Sequence, residues 1–359
     1  MKRYILFAPL TYCYPILRPV QEEIRRRGDE AAWYIGDGPD MLQPGEKKLA
    51  TIEEAIAYDP IASLTAANYI PDYLPGVKVA LFHGYPITKR PNHPGSQFAI
   101  RGWFDIYCTQ GPSGTPVFER NAAKLGFFKV YETGWTKADT YAAADKQKLP
   151  SNDRPTVVYT STFTRGITST GILFDTIRKM VESRRWNWLF TFHPKLDEET
   201  KNRYKQLAEE NENAEYYDGD NNPDFIARAD VMLCDSSSII TEFMLMNRPV
   251  VTFRNTNPGQ HLIDVTSTDE IEPALEKALT RPEPLMKAIK QYTEYHEGHL
   301  DGKASSRVLD AIDDFISTGH KTLTRRKPLN LLRRIKLRRA TGYPWWKGLF
   351  LNGELRIEN

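Results

Sequence analysis

This 359-residue sequence is poor in cysteine, in long apolar runs and in excess charge. Its three cysteines, Cys13, Cys108 and Cys234, lie far apart and in no Cys-x-x-Cys spacing. That excludes a disulfide scaffold and a cysteine-bound structural zinc, and fits a reducing compartment. No apolar stretch is long enough to span a bilayer. The net charge is only +2, so no global basic field argues for nucleic acid. Three signatures are also missing. Without Gly-x-x-x-x-Gly-Lys-Ser/Thr the P-loop nucleotide class is disfavoured. Without Gly-x-Gly-x-x-Gly after the first strand a dinucleotide oxidoreductase is disfavoured. Without Gly-x-Ser-x-Gly a hydrolase nucleophile elbow has no support.

What is present reads as a globular α/β protein. Hydrophobic residues make up 40% and charged residues 26%, enough for sizeable cores. At roughly 100–200 residues per domain, two domains are expected. The N-terminal MKRYILFAPLTYCYP imitates a secretion signal. Its apolar run is short, broken by Pro9 and Pro15, and lacks a small-residue cleavage site, so it reads as a first buried strand. A cytoplasmic protein is the expectation. Strand patterns such as VKVALFHG and FDIYCTQ alternate with helical ones such as PVFERNAAKLGF. Periodicity fades from Tyr141 to Pro155, which reads as a linker, and then restarts with TVVYTST. Two α/β halves with mostly parallel sheets follow, two Rossmann-like domains facing a central cleft.

In such sheets ligands bind beyond the carboxyl ends of the strands. That rule singles out HG at 83–84, TQGPSG at 109–114, TSTFTRG at 160–166, HP at 193–194 and DSSS at 235–238. His83 and His193 each end an apolar run, and histidine acts as a base near neutral pH; a structural histidine is the alternative for each. The glycines of TQGPSG, Gly111 among them, form a tight turn or admit a ligand close to the backbone. Asp235, Ser236, Ser237 and Ser238 precede a helix-forming run. They either cap it or form an anion site, and a cap needs only one of them. His93 lies in a turn-rich loop, and HxxH at 296–299 is a weak metal signal, so no metal is expected.

Five segments in order, across about residues 80–312, resemble the motifs of the CDP-glycerol glycerophosphotransferase family, the teichoic-acid primases and polymerases with a GT-B fold. They are FHGYPITKR, YTSTF, FHPK, CDSSSIITEFMLMNRPVV and DGKASSRVLDAI. The resemblance implies a CDP-activated polyol donor and a lipid-linked glycan acceptor, with CMP released in the synthesis of a teichoic-acid or capsule-type polymer. It implies that His83 takes the acceptor's proton and His193 stabilises charge on the transferred phosphoryl group. It places Gly111, Thr160, Thr162, Arg165, Asp235, Ser236, Ser237, Ser238, Ser305 and Arg307 on the donor, and Gly84 and Lys89 on the acceptor side. Glu242 would contact the ribose or brace the serine segment. Ser236 stands where the family usually has Tyr, and Glu242 where Asp is usual, which leaves a ribitol-phosphate or other cytidine-activated donor open. A GT-B glycosyltransferase using a nucleotide sugar is the alternative function, and a non-catalytic scaffold of envelope assembly the rival from another class.

From Lys321 to Lys347 no acid interrupts a basic run in which Leu329, Leu332, Ile335 and Leu337 interleave with Arg and Lys, before Trp345 and Trp346. This reads as a basic amphipathic helix on an anionic membrane surface; a charged helix packed on the protein, a disordered end and RNA binding are the alternatives. The expected division is therefore an acceptor domain over 1–147, a nucleotide-donor domain over 148–319 and a basic tail over 320–359, peripheral on the inner face of the cell membrane.

Overall fold

The computed structural model describes residues 1–85, 98–146, 154–193, 195–218 and 223–347. Lys89, His93, Pro194, the second half of the expected linker and the chain beyond Lys347 lie outside the described residues.

The chain forms two compact units, Met1–Asp139 with Tyr295–Asn359, and Thr140–Glu294. The first carries β1 (Arg3–Phe7), α1 (Tyr14–Arg26), β2 (Glu30–Tyr34), α2 (Ile52–Ala57), β3 (Ala62–Thr65), β4 (Val77–Ala80), β5 (Ile106–Thr109), α3 (Thr115–Leu125) and β6 (Lys129–Glu132). Its sheet has the order β2-β1-β3-β4-β5-β6, and every pairing is parallel. β3, β4 and β5 are buried along their whole length, as strands covered on both faces must be. Ile16, Val20 and Ile24 of α1 are buried at helical spacing, as the sequence pattern predicts.

In the second unit β7 (Thr156–Tyr159), α5 (Thr170–Glu182), β8 (Asn187–Thr191), α6 (Glu198–Glu209) and β9 (Ala214–Tyr217) are followed by α7 (Pro223–Ile226), β10 (Val231–Cys234), α8 (Ile239–Met244), β11 (Val250–Phe253), β12 (Ile263–Val265) and α9 (Ile271–Leu279). The sheet order is β12-β11-β10-β7-β8-β9, again parallel throughout. The chain runs outward from β7 to β9, then returns to β10 on the other side of β7. That reversal makes the β7/β10 junction the topological switch point, where α/β sheets of this order bind ligands. Trp188, Phe190 and Tyr204 fill the core beside Val157, Leu233 and Val251.

Two elements differ from the sequence reading. α4 (Thr136–Lys146) occupies the first part of the expected linker. It has no apolar stripe, and contacts distant in sequence hold it: Thr136 donates to the Ile16 carbonyl at 2.6 Å and Tyr141 is fully buried. β12 escapes a periodicity argument because it is three residues long and pairs only with β11. The division between units falls at Asp139/Thr140, and the chain returns to the first unit at Tyr295, inside α10 (Glu283–His296). α11 (Ala304–Ser317) therefore belongs to the unit of β1–β6, where it packs on α1, β4 and β5. Arg27, just after α1, bonds Ser306 at 2.8 Å and Asp310 at 2.8 Å on α11, and Lys2 pairs with Asp313 at 2.7 Å.

The basic segment is docked on the first unit. α12 (Leu331–Ala340) buries Arg334 and Arg338, and both pair with Asp72. Tyr343 stacks on Tyr73 with ring centroids 4.5 Å apart, and Asn330 donates to the Arg101 and Gly102 carbonyls. Two arginines of this helix face the protein, while Leu332, Arg333, Lys336 and Arg339 are exposed. No helix among the described residues is long and apolar enough to cross a membrane.

Candidate active site

The loops after β7 and β10 meet at the switch point, and Asp235 joins them. It is 0% exposed. Its carboxylate accepts from the Thr162 N–H at 2.8 Å, the Ser169 N–H at 3.0 Å, the Ser169 hydroxyl at 3.1 Å, the Ser236 N–H at 2.6 Å and the Ser161 hydroxyl. Those donors use its lone pairs, so Asp235, expected on the donor, is instead the brace of the loops around it. Asp235→Ala should strand several buried donors and lower stability by at least about 3 kcal/mol, at about 1–3 kcal/mol for each unsatisfied group. Urea denaturation measures this. Unchanged stability with lost nucleotide binding would return Asp235 to the ligand.

The three serines divide by role. The Ser236 hydroxyl accepts from the Thr256 N–H at 2.9 Å, while the Asn255 side chain donates to the Asp235 carbonyl at 2.6 Å. Ser236 thus ties down the loop after β11. Ser237 is half-buried and Ser238 exposed, and among the described residues their hydroxyls have no hydrogen-bond partner. Ser238 precedes α8 but makes no side-chain cap bond. The capping alternative is therefore absent, and two hydroxyls stand open at the switch point. Thr160 is buried and continues the sheet through its N–H to the Leu233 carbonyl, so its side chain is not offered to solvent as expected. Thr162 is half-buried and Arg165 exposed on the same loop.

His193 follows β8 and is exposed beside that loop, its ring centroid 4.3 Å from that of Phe163. Its Nδ1 accepts from the Lys195 N–H at 3.0 Å. In the neutral ring the proton is then on Nε2. Glu242 is buried on α8, where it accepts from Tyr141 of α4 at 2.5 Å. Its carboxylate braces that helix within the unit.

The first unit holds the remaining expected residues. His83 is exposed after β4, its ring 5.0 Å from that of Tyr12. Gly84 follows it, and a small cavity beside it is lined by Asn68, Arg101 and Phe104. Gly111 does not open space for a ligand. A Cβ there would lie 2.6 Å from the Gly298 nitrogen and 2.8 Å from the His296 carbonyl, so the close approach is to protein backbone. Ser305 and Arg307, expected on the donor, are engaged within α11 and its surroundings: the Ser305 N–H donates to Asp139 at 2.8 Å, and Arg307 pairs with Asp301 and the Thr133 carbonyl. His296 bonds Ser113 at 3.0 Å and His299 approaches Glu132 at 3.8 Å. Among the described residues no cluster of three His, Cys, Asp or Glu is placed to hold a metal. Sequence reasoning missed Tyr85, Trp135 and Glu297, which surround the His83 segment. A lone Glu in a polar stretch carries no signal that it will be buried.

Residues 115–314, more than half of the chain, match the CDP-glycerol:poly(glycerophosphate) glycerophosphotransferase family. The chain belongs to this family. It is a CDP-glycerol glycerophosphotransferase-like enzyme. No curated protein matches the chain. Among solved structures it is similar to the wall teichoic acid polymerase TagF, at 16% identity over 87% of this chain and 88% of that one, with a TM-score of 0.61. A variant of that polymerase soaked with CDPG gives 16% identity, the same coverage and a TM-score of 0.59. The UDP-GlcNAc 2-epimerase of Neisseria meningitidis, bound to UDP-GlcNAc, covers 88% of this chain and 100% of its own at 12% identity, with a TM-score of 0.56. Likenesses this remote show the fold, which is GT-B-like.

Proposed function

We propose that the enzyme transfers a glycerol-phosphate, or a related polyol-phosphate, from a CDP-activated donor to a hydroxyl of a membrane-linked glycan in teichoic-acid or capsule-type polymer synthesis. The observation that carries the donor side is the β7/β10 switch point, where Thr162, Arg165, Ser237 and Ser238 stand on loops braced by Asp235, with His193 after β8 against Phe163 of the same loop. These are cationic and neutral hydrogen-bond donors, the chemistry a pyrophosphate requires. In the step itself the acceptor O–H gives its proton to His83 while its oxygen bonds to the polyol-bearing phosphorus. The bond from that phosphorus to the bridging oxygen breaks, and CMP leaves with the electron pair. Phosphoryl transfer asks little covalent chemistry of a protein and much positioning. His193 supplies a donor to the charge that grows on the phosphoryl oxygens. A membrane partner fits the exposed face of α12, where Arg333, Lys336 and Arg339 are exposed and Arg339 lies over the ring of Trp345. Mass spectrometry of products from CDP-glycerol, CDP-ribitol and nucleotide sugars with a lipid-linked acceptor tests the reading. Product from a nucleotide sugar alone would overturn it.

The open serines give a separable expectation. Ser237→Ala with Ser238→Ala should weaken CDP-donor binding by about 1–3 kcal/mol, the scale of hydrogen bonds to charged groups. Stability should hold within about 0.5 kcal/mol, because among the described residues neither hydroxyl has a partner. Calorimetric titration beside a thermal melt reads both. Lost stability with unchanged affinity would restore the capping alternative.

A further inference from the structure

Glu297 lies between α10 and α11 and is 1% exposed. A carboxyl is costly to bury unless donors satisfy it. Burial pushes this one up to about 8, and the like charge of Asp139 adds to the rise. Its oxygens accept from the Tyr85 hydroxyl at 2.8 Å and from the Trp135 N–H at 3.0 and 3.2 Å. The fit is close: Gly134 has φ +82°, and a Cβ there would lie 2.6 Å from Glu297 Oε1. The next residue anchors the stretch, since the Gly298 N–H donates to the Gln110 carbonyl at 2.9 Å.

These two donors hold the segment that carries His83. Tyr85 lies two residues after it. Trp135 reaches the other flank, where its indole Nε1–H donates to the Phe82 carbonyl at 2.7 Å. The two rings meet edge to face, with centroids 5.1 Å apart. His83-Gly84 is thus pinned on both sides from one buried carboxyl, directly through Tyr85 and indirectly through Trp135.

We propose that Glu297 is a positioning residue for the transfer reaction, fixing the Phe82–Tyr85 segment through Tyr85 and Trp135 and so aiming the His83 imidazole. The inference rests on His83 as the base. A base acts only from within hydrogen-bond reach of the proton it takes, and a displacement on the order of 1 Å can cost about 100-fold. Glu297 does not touch substrate in this role, and donor binding does not depend on it.

The test is a mutant cycle on the full-length enzyme with CDP-glycerol and a lipid-linked acceptor. Glu297→Ala should lower kcat about 10- to 100-fold while the calorimetric affinity for CDP-glycerol stays unchanged. Tyr85→Phe, which removes the Tyr85 bond and leaves those from Trp135, should give part of that loss. Glu297→Gln, which keeps an acceptor oxygen and the side-chain volume, should be milder than alanine. The decisive measurement is Glu297→Ala in a His83→Ala background, where no further loss is expected because residues acting as one unit are not additive. An equal loss in both backgrounds, or wild-type kcat in the single variant, would overturn the inference. Should circular dichroism show the alanine variant unfolded, Glu297→Gln and Tyr85→Phe enter the same cycle and decide it. Near-normal turnover of His83→Ala alone is a different result: it removes His83 as the base.

Discussion

His83→Ala is expected to reduce turnover by about 100- to 10,000-fold, the range for loss of a positioned general base. Fold and donor affinity should survive. His83 is exposed after β4, and its neighbour Tyr12 is a ring contact that alanine gives up cheaply. Ser237, Ser238 and His193, which we propose hold the donor, stand on loops of the other unit. Single-turnover kinetics with saturating CDP-glycerol separate the chemical step from binding. The loss should appear in the chemical rate, with the calorimetric donor affinity unmoved. His193→Ala makes an instructive partner. Its Nδ1 is already occupied by the Lys195 N–H, so the residue offers a donor, not a base. Its removal should slow the same step. If His83→Ala turns over near the wild-type rate, the base lies elsewhere.

The positions of the two histidines and of the serines were legible because each ends an apolar run, and strand ends in parallel sheets are where ligands bind. The roles of their neighbours were less legible. Asp235 reads in sequence as one more ligand beside three serines. Only the fold shows five donors closing around it, two from residue 169 and two from residues 161 and 162. Gly111 reads as space for a ligand, but the space is taken by the backbone of residues 296–298, nearly two hundred positions away. Glu297 is the strongest case. Its burial is created by Tyr85 and Trp135, and nothing within its own stretch, YHEGHL, encodes that. Local pattern reveals elements and their ends, while nonlocal packing decides which polar residue at an end is a brace and which is open.

The basic segment gives the other large expected effect. Arg338 is 3% exposed and forms a forked pair with Asp72, with Nε at 3.1 and 3.2 Å and Nη2 at 2.5 Å from its oxygens. It also donates to the Trp345 and Lys347 carbonyls at 3.2 and 2.7 Å. Removing one partner of a buried pair leaves an uncompensated charge, at about 3–5 kcal/mol. Arg334 stays 3.6 Å from Asp72 and recovers some of that, so Arg338→Ala should cost about 3 kcal/mol, the lower end of that range. For a unit of this size the midpoint of thermal unfolding should fall by roughly 6–12 °C. Deleting residues 321–359 should cost more, because Tyr343 on Tyr73 and Asn330 on the Arg101 and Gly102 carbonyls go with it. A deletion therefore cannot isolate a membrane role. Reversing charge at Arg333, Lys336 and Arg339 can: all three are exposed, and the one bond Arg333 makes, to the Arg101 carbonyl, falls on an oxygen that Asn330 also holds. That triple Glu variant should melt close to the wild type yet float poorly with anionic liposomes, at about 1 kcal/mol per basic residue lost from the surface. Binding of the unaltered protein should weaken as salt rises, through screening. Unchanged flotation of a folded triple variant would leave α12 with a purely structural part, fastening the chain's end to the first unit through Asp72.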